Sequence, residues 1–92
     1  MDNKIENFFD LDEMILVMLM AKQNNRYFGM KVTIPGCLRG EIIINHPDNL
    51  SKKAKYYKEA YSKAGVLKNN KAITITEYHT DDTLEELVKK FI

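Results

Sequence analysis

The chain has little of what most chemistries require. Cys37 is its one cysteine in 92 residues, which precludes an internal disulfide, sets aside the disulfide-framed secreted miniproteins and suits a reducing cytosol. Its four glycines stand apart at positions 29, 36, 40 and 65, so no Gly-rich loop is available to cradle a phosphate. With two prolines and no stretch rich in Gly, Ser or Pro, no linker divides the chain, and a single domain over residues 1–92 is expected. The longest apolar run, Met14 to Ala21, is eight residues long, whereas a membrane span takes about 20. The acidic opening, Met-Asp-Asn-Lys-Ile-Glu, lacks the basic region of a signal peptide, so the mature chain is expected to begin at Met1 in a cytoplasmic setting. Charge of either sign is not in excess: 14 Lys and Arg meet 13 Asp and Glu, a net +1 that makes a long-range field for nucleic acid or anionic membrane unexpected.

What is present reads as alternating helical and strand patterns. Asp10-Leu-Asp-Glu13 forms a capping box and predicts a helix from Leu11 to about Gln23, although Ile15 and Val17 leave a strand reading open. Upstream, Ile5, Phe8 and Phe9 are out of phase with that helix, which makes Asp10 a break. The run Met14-Ile-Leu-Val-Met-Leu-Met-Ala21 is apolar all round, which calls for burial on more than one side. Either it is a central core helix, or part of it is sealed by a second copy of the chain through Met14, Val17, Met18 and Met20.

From Arg26 the period changes to two, with Phe28, Met30, Val32 and Ile34 on one face and Tyr27, Lys31 and Thr33 on the other. Pro35-Gly36 supplies a turn and Gly40 closes the connection to a second strand, Glu41-Ile-Ile-Ile-Asn45. A helix from Leu50 to Ala64 carries Leu50, Ala54, Tyr57, Tyr61 and Ala64 on one stripe, with Gly65 expected to end it in a Schellman motif. Ala72 to Tyr78 alternates again as a third strand, and Asp82-Thr-Leu-Glu85 caps a last amphipathic helix bearing Leu84, Leu87, Val88, Phe91 and Ile92. The expected fold is therefore α+β, ordered α-β-β-α-β-α. A right-handed crossover gives a three-stranded antiparallel sheet in the order 2-1-3, with all helices packed on one face. Tyr27, Lys31, Thr33, Ile43, Asn45, Thr74, Thr76 and Tyr78 would then occupy the open face.

No constellation meets the needs of a catalytic or metal chemistry, so no enzyme activity, metal or cofactor is expected. Nothing in the spacing brings Cys37 to His46 or His79, and His79 with Asp81 and Asp82 lacks a structural zinc pattern. A small hydrolase built on His46 or His79 is accordingly the weakest reading. His46-Pro47-Asp48 resembles the tripeptide of J-domain co-chaperones, but here it follows a strand and serves as turn and cap. The open sheet face is similar to that of single-strand RNA binders, yet offers only Tyr27 and Tyr78 as stacking rings. Tyr56 lies about 100° off the core stripe among Lys52, Lys53, Lys55 and Lys58, a ring able to stack on a base or anchor a protein, or simply a boundary tyrosine above a solvated face.

Glu41-Ile-Ile-Ile-Asn45, Lys55-Tyr-Tyr-Lys-Glu-Ala-Tyr61, Leu67-Lys68 and Ile73-Thr-Ile75 together resemble small proteins encoded by phages and prophages of low-GC Gram-positive bacteria. That resemblance implies a host-cell cytoplasm and an accessory protein that disables a host component. The expectation is a non-enzymatic, self-associating binding protein that inhibits a host defence protein or sequesters a nucleotide signal. For a nucleotide, Arg26, Arg39 and His46 are the candidate phosphate contacts and Tyr56 the stacking ring. The alternative is a nucleic-acid-binding module using the Lys- and Tyr-rich helix 50–64.

Overall fold

A computed structural model describes residues 9–92, so the readings made on Ile5 and Phe8 and on the start of the chain lie outside the described residues. The element order is α1 (Leu11–Gln23), β1 (Tyr27–Ile34), β2 (Cys37–Asn45), a 3-10 turn at Pro47–Asn49, α2 (Leu50–Ala60), β3 (Ile75–Asp81) and α3 (Leu84–Lys89). The sheet is antiparallel throughout, in the order β2-β1-β3. The fold class, element order and strand order follow the periodicity of the sequence.

Segment ends depart from it for identifiable reasons. The Asp10 carboxylate accepts from the Asp12 amide at 3.0 Å, as the cap predicted. The Schellman ending, expected at Gly65, belongs instead to α1: the amide of Arg26 donates to the Ala21 carbonyl and that of Asn25 to Lys22. Asn25 takes the left-handed conformation there, at φ 56°. Helix α2 stops at Ala60 rather than Ala64, because Tyr61 turns extended and bridges to Leu67. Gly65 nevertheless has positive φ, and a side chain on it would strike the Phe9 ring at 2.6 Å. At α3 the cap is Thr83, whose hydroxyl accepts from the Glu86 amide, one residue beyond the predicted box.

Helices α1 and α2 pack against the sheet face that carries Phe28, Met30, Val32 and Ile75. The expectation that every helix shares this face does not hold for α3. Neighbouring strands lie about 4.8 Å apart, so three strands are about 10–14 Å wide, and two helices about 10 Å across already cover them. Helix α3 takes the reverse face, where Gly29 leaves a socket: a Cβ on Gly29 would meet Phe91 at 2.9 Å and the Ile44 methyl at 2.8 Å. Phe91 also lies edge-on to His79, centroids 4.8 Å apart, and Leu87 is fully buried beside it.

Three residues assigned to the open face turn out to face the main core. Ile43 and Asn45 pair with Met30 and Phe28, and Asn45 is the one buried polar residue among those described. Three consecutive isoleucines cannot choose a register by apolar alternation alone. Here Leu38, Arg39 and Gly40 bulge opposite Thr33, and regular pairing resumes at Val32 with Glu41. On β3, Val32 pairs with Ile75 but Lys31 with Glu77, so Thr76 is an extra residue that returns Tyr78 to the core, where it stacks on Phe28.

Candidate functional site

The reverse face is only partly covered by α3, and what it leaves open is the candidate site. Along β1, Gly29 and Lys31 point this way. From β2 come Ile42 and Ile44, and from β3 Glu77 and His79. Two adjoining grooves share Lys31, Arg39 and Gly40. One, of about 460 Å³, is completed by Ile42, Phe91 and Ile92. The other, of about 370 Å³, reaches Thr33, Cys37, Leu38, Thr76 and Glu77.

Local structure explains why these groups meet. The bulge at Leu38–Gly40 lifts Arg39 and Leu38 clear of the sheet, and Leu38 is fully exposed. Gly40 makes that bulge possible: its φ is +72°, and a Cβ would meet the Val32 carbonyl oxygen at 2.3 Å. Glu77 and His79 occupy one another, Nε2 to Oε2 at 2.9 Å, so Lys31 and Arg39 have no carboxylate within 4 Å among the described residues. The result is two cations beside an apolar rim of Ile42, Ile92 and Leu38. Such a surface suits an extended or folded partner that presents carboxylates next to aliphatic groups.

The four residues proposed as nucleotide contacts are spread over the molecule. The Arg26 guanidinium is committed to structure, donating to the Thr80 carbonyl at 3.3 Å and pairing with Asp82 at 3.4 Å. Arg26 precedes β1 and Arg39 sits in the β2 bulge opposite Thr33, near the far end of β1, so about 20 Å of strand separates them. His46 closes β2 at the Arg26 end, its Nδ1 accepting from the Asp48 amide and its ring edge-on to Tyr27 at 5.3 Å. Tyr56 projects from α2 on the other side of the sheet, half exposed, with Lys53 Nζ 5.8 Å from its ring centroid. Only Arg39 belongs to the groove.

The proposed oligomer face divides in the same way. Met14 and Met18 are fully enclosed in the core and are not available to a second chain, whereas Met20 is exposed and Val17 half-buried. The residues that the sequence reading missed are Leu16 and Leu19, which are exposed with Met20 along the outer side of α1. Their signal was readable: at about 100° per residue, Leu16 lies opposite the midpoint of Met14 and Met18. Ile92, which spacing places on the α3 stripe, is almost fully exposed at the groove.

Cys37 pairs with Ile34 and Asn45 with Phe28, so Cys37 and His46 stand about 20 Å or more apart at the two ends of β2, and the Cys37 thiol donates to the Gly40 carbonyl. Among the described residues no three His, Cys, Asp or Glu side chains gather as a metal site, and no helix is long and apolar enough to cross a membrane. Burial raises the Tyr57 pKa, opposed by the bond from Asn45, and burial likewise raises Tyr61 and Tyr78. The Asp81 carboxyl is held below its ordinary range, chiefly by the Lys90 ammonium that donates to it. These shifts belong to the packing of the fold, not to the groove. No family model matches the chain, and no curated protein and no solved structure shows significant similarity to it.

Proposed function

We propose that the chain is a non-enzymatic binding protein that inhibits a host protein by covering part of its surface, as a phage-encoded accessory protein in a bacterial cytoplasm would. The observation that carries the reading is the groove joining Lys31 and Arg39 to Ile42, Phe91 and Ile92. Exposed aliphatic groups beside two cations that form no ion pair among the described residues suit a protein surface better than a small metabolite, which needs convergent contacts in an enclosing pocket. The partner would present Asp or Glu beside Leu, Ile or Val, and a host defence protein is the class of target in this reading. The protein acts as a homo-oligomer in the same proposal, through α1 rather than through the groove.

Sequestration of a nucleotide is the less supported form of the idea, because Arg26 is committed to Asp82 and Thr80 while His46 and Tyr56 lie on other surfaces. A ligand at 100 times its dissociation constant stabilises the folded state by about 2.7 kcal/mol, which raises Tm by about 10 °C or more for a domain of this size. A thermal-shift panel of cyclic and ADP-ribose-type nucleotides therefore separates the two: no shift is expected, and a large one would move the reading to sequestration. One observation favours nucleic acid as the second reading, namely the exposed Tyr56 ring beside Lys53 on a helix whose Lys52, Lys55 and Lys58 are also exposed. Binding of that kind would weaken steeply with added salt.

The test of the main reading is capture of a discrete protein from a lysate of a low-GC Gram-positive bacterium, followed by calorimetry with the purified partner. Ile42→Asp and Arg39→Glu are each expected to weaken binding at least about tenfold. A partner bound equally well by both variants would overturn the assignment of the groove.

A further inference from the structure

The outer side of α1 carries a cluster of exposed apolar side chains. Leu16, Leu19 and Met20 are 58%, 44% and 52% exposed, three of the most exposed large apolar side chains of the fold within five residues. They lie back to back with Leu11, Met14, Met18 and Ala21, which fill the core. Half-buried Ile15 and Val17 flank the patch. Its charges are distributed asymmetrically along the axis: Asp12 and Glu13 occupy the first turn, Lys22 the last.

We propose that α1 is the contact of a two-fold symmetric dimer in which the two α1 helices run antiparallel. The occupant is a second copy because the face is self-complementary only in that orientation. With the axis between Val17 and Met18, Leu16 meets the partner's Leu19 and Met20, and Asp12 comes level with the partner's Lys22 and Gln23. A parallel pair would stack Asp12 on Asp12 and Glu13 on Glu13, and would align the two helix dipoles. In the antiparallel pair each acidic N-terminus lies near the partner's C-terminus, whose partial charge is offset by Lys22. The Asp12 carboxylate already takes Lys63 at 3.4 Å within its own chain, so the charges set orientation while the leucines supply affinity.

Size fixes the expected strength. A 13-residue helix is about 20 Å long, and a face about 10 Å wide provides a few hundred square ångströms, short of the roughly 800 Å² per partner of a standard stable complex. The dimer is therefore concentration-dependent, with a dissociation constant in the micromolar range or weaker. This inference deepens the oligomeric part of the proposed function. It can fail while groove binding stands, because α1 and the groove lie on opposite sides of the sheet.

Sedimentation equilibrium from about 10 μM to about 1 mM is the test of assembly. A monomer–dimer equilibrium is expected, weakened at least about tenfold by Leu16→Lys. Lys22→Glu is expected to weaken it less, with recovery in the Asp12→Lys/Lys22→Glu double variant. Circular dichroism melts of each variant as a monomer confirm that the fold is retained. Orientation is read by disulfide formation in a Cys37→Ser background: a mixture of Glu13→Cys and Gln23→Cys chains is expected to give mostly mixed disulfides. A monomer at the highest concentration, a dimer indifferent to Leu16→Lys, or a predominance of self-paired Glu13→Cys chains would overturn the proposal.

Discussion

Asn45 donates its side-chain amide to the Tyr57 hydroxyl at 3.1 Å, and this buried bond ties the end of β2 to the middle of α2. It also selects the strand register, because sliding β2 by one residue would turn Asn45 to the reverse face and leave Tyr57 Oη without its donor. Leaving one partner of a buried pair unsatisfied costs about 1–3 kcal/mol, whereas removing both is nearly neutral. Tyr57→Phe alone and Asn45→Leu alone are therefore each expected to destabilise by about 1–3 kcal/mol. The double variant should be less destabilised than the sum of the two. Denaturant titration of the four proteins checks the coupling, and strictly additive losses would mean that the bond contributes nothing.

The socket at Gly29 gives a second test, aimed at the placement of α3. A methyl at this position would lie 2.9 Å from Phe91 and 2.8 Å from Ile44, both flexible side-chain ends that can shift at some cost. Gly29→Ala is expected to cost about 1–3 kcal/mol through overpacking, and Gly29→Val more. Hydrogen exchange should show the loss concentrated in residues 84–92, with α1 and α2 less affected. A neutral Gly29→Ala would contradict packing of α3 on the reverse face.

Stability should fall at both ends of the pH range, by different groups. Tyr57, Tyr61 and Tyr78 have folded pKa values above the unfolded value near 10, with burial as the first cause. Their favourable contribution is whole below pH 10 and declines as pH rises from there, because the unfolded tyrosines lose protons first. Asp81 is the opposite case: its folded pKa lies below 3.8, so the contribution of its bond to Lys90 is present above that pH and is lost as pH falls through the folded value. Lys90→Met should flatten the acid limb of a stability–pH profile and leave the alkaline limb unchanged.

Gly40 controls the groove through the backbone. Its φ of +72° and the Val32 oxygen 2.3 Å from a notional Cβ mean that Gly40→Ala must rearrange the bulge carrying Arg39. A loss of about 1–3 kcal/mol is expected, together with weaker partner binding even where the variant remains folded. Gly36→Ala is the control: its φ is also positive, at +82°, but nothing lies within 4 Å, so it should cost less and leave partner binding intact.

The elements were legible in the sequence because caps and periodicity speak for single segments. Asp10 marked the start of α1, and alternation through Phe28, Met30 and Val32 gave both β1 and its buried face. Features that depend on one segment meeting another were less so. Two bulges changed which residues face the core, and neither the isoleucine run of β2 nor the Thr-Ile-Thr of β3 carries a mark of them. Gly29 could not be recognised as a socket until Phe91 filled it. The candidate site suffered most: Arg26 looked like a free cation, yet its partners Thr80 and Asp82 are more than 50 positions along the chain. Arg39, by contrast, lies in β2 between Gly36 and Gly40, whose turn signals are visible locally, and it alone of the four ligand candidates lines the groove.

Amide chemical-shift mapping on isotope-labelled protein, titrated with a captured and purified protein partner, locates the working surface. Perturbations are expected to concentrate on Lys31, Arg39, Gly40, Ile42, Phe91 and Ile92, with α2 unchanged. Perturbation confined to Lys52, Lys53, Lys55, Tyr56 and Lys58, with the groove silent, would contradict a working surface on the reverse face of the sheet.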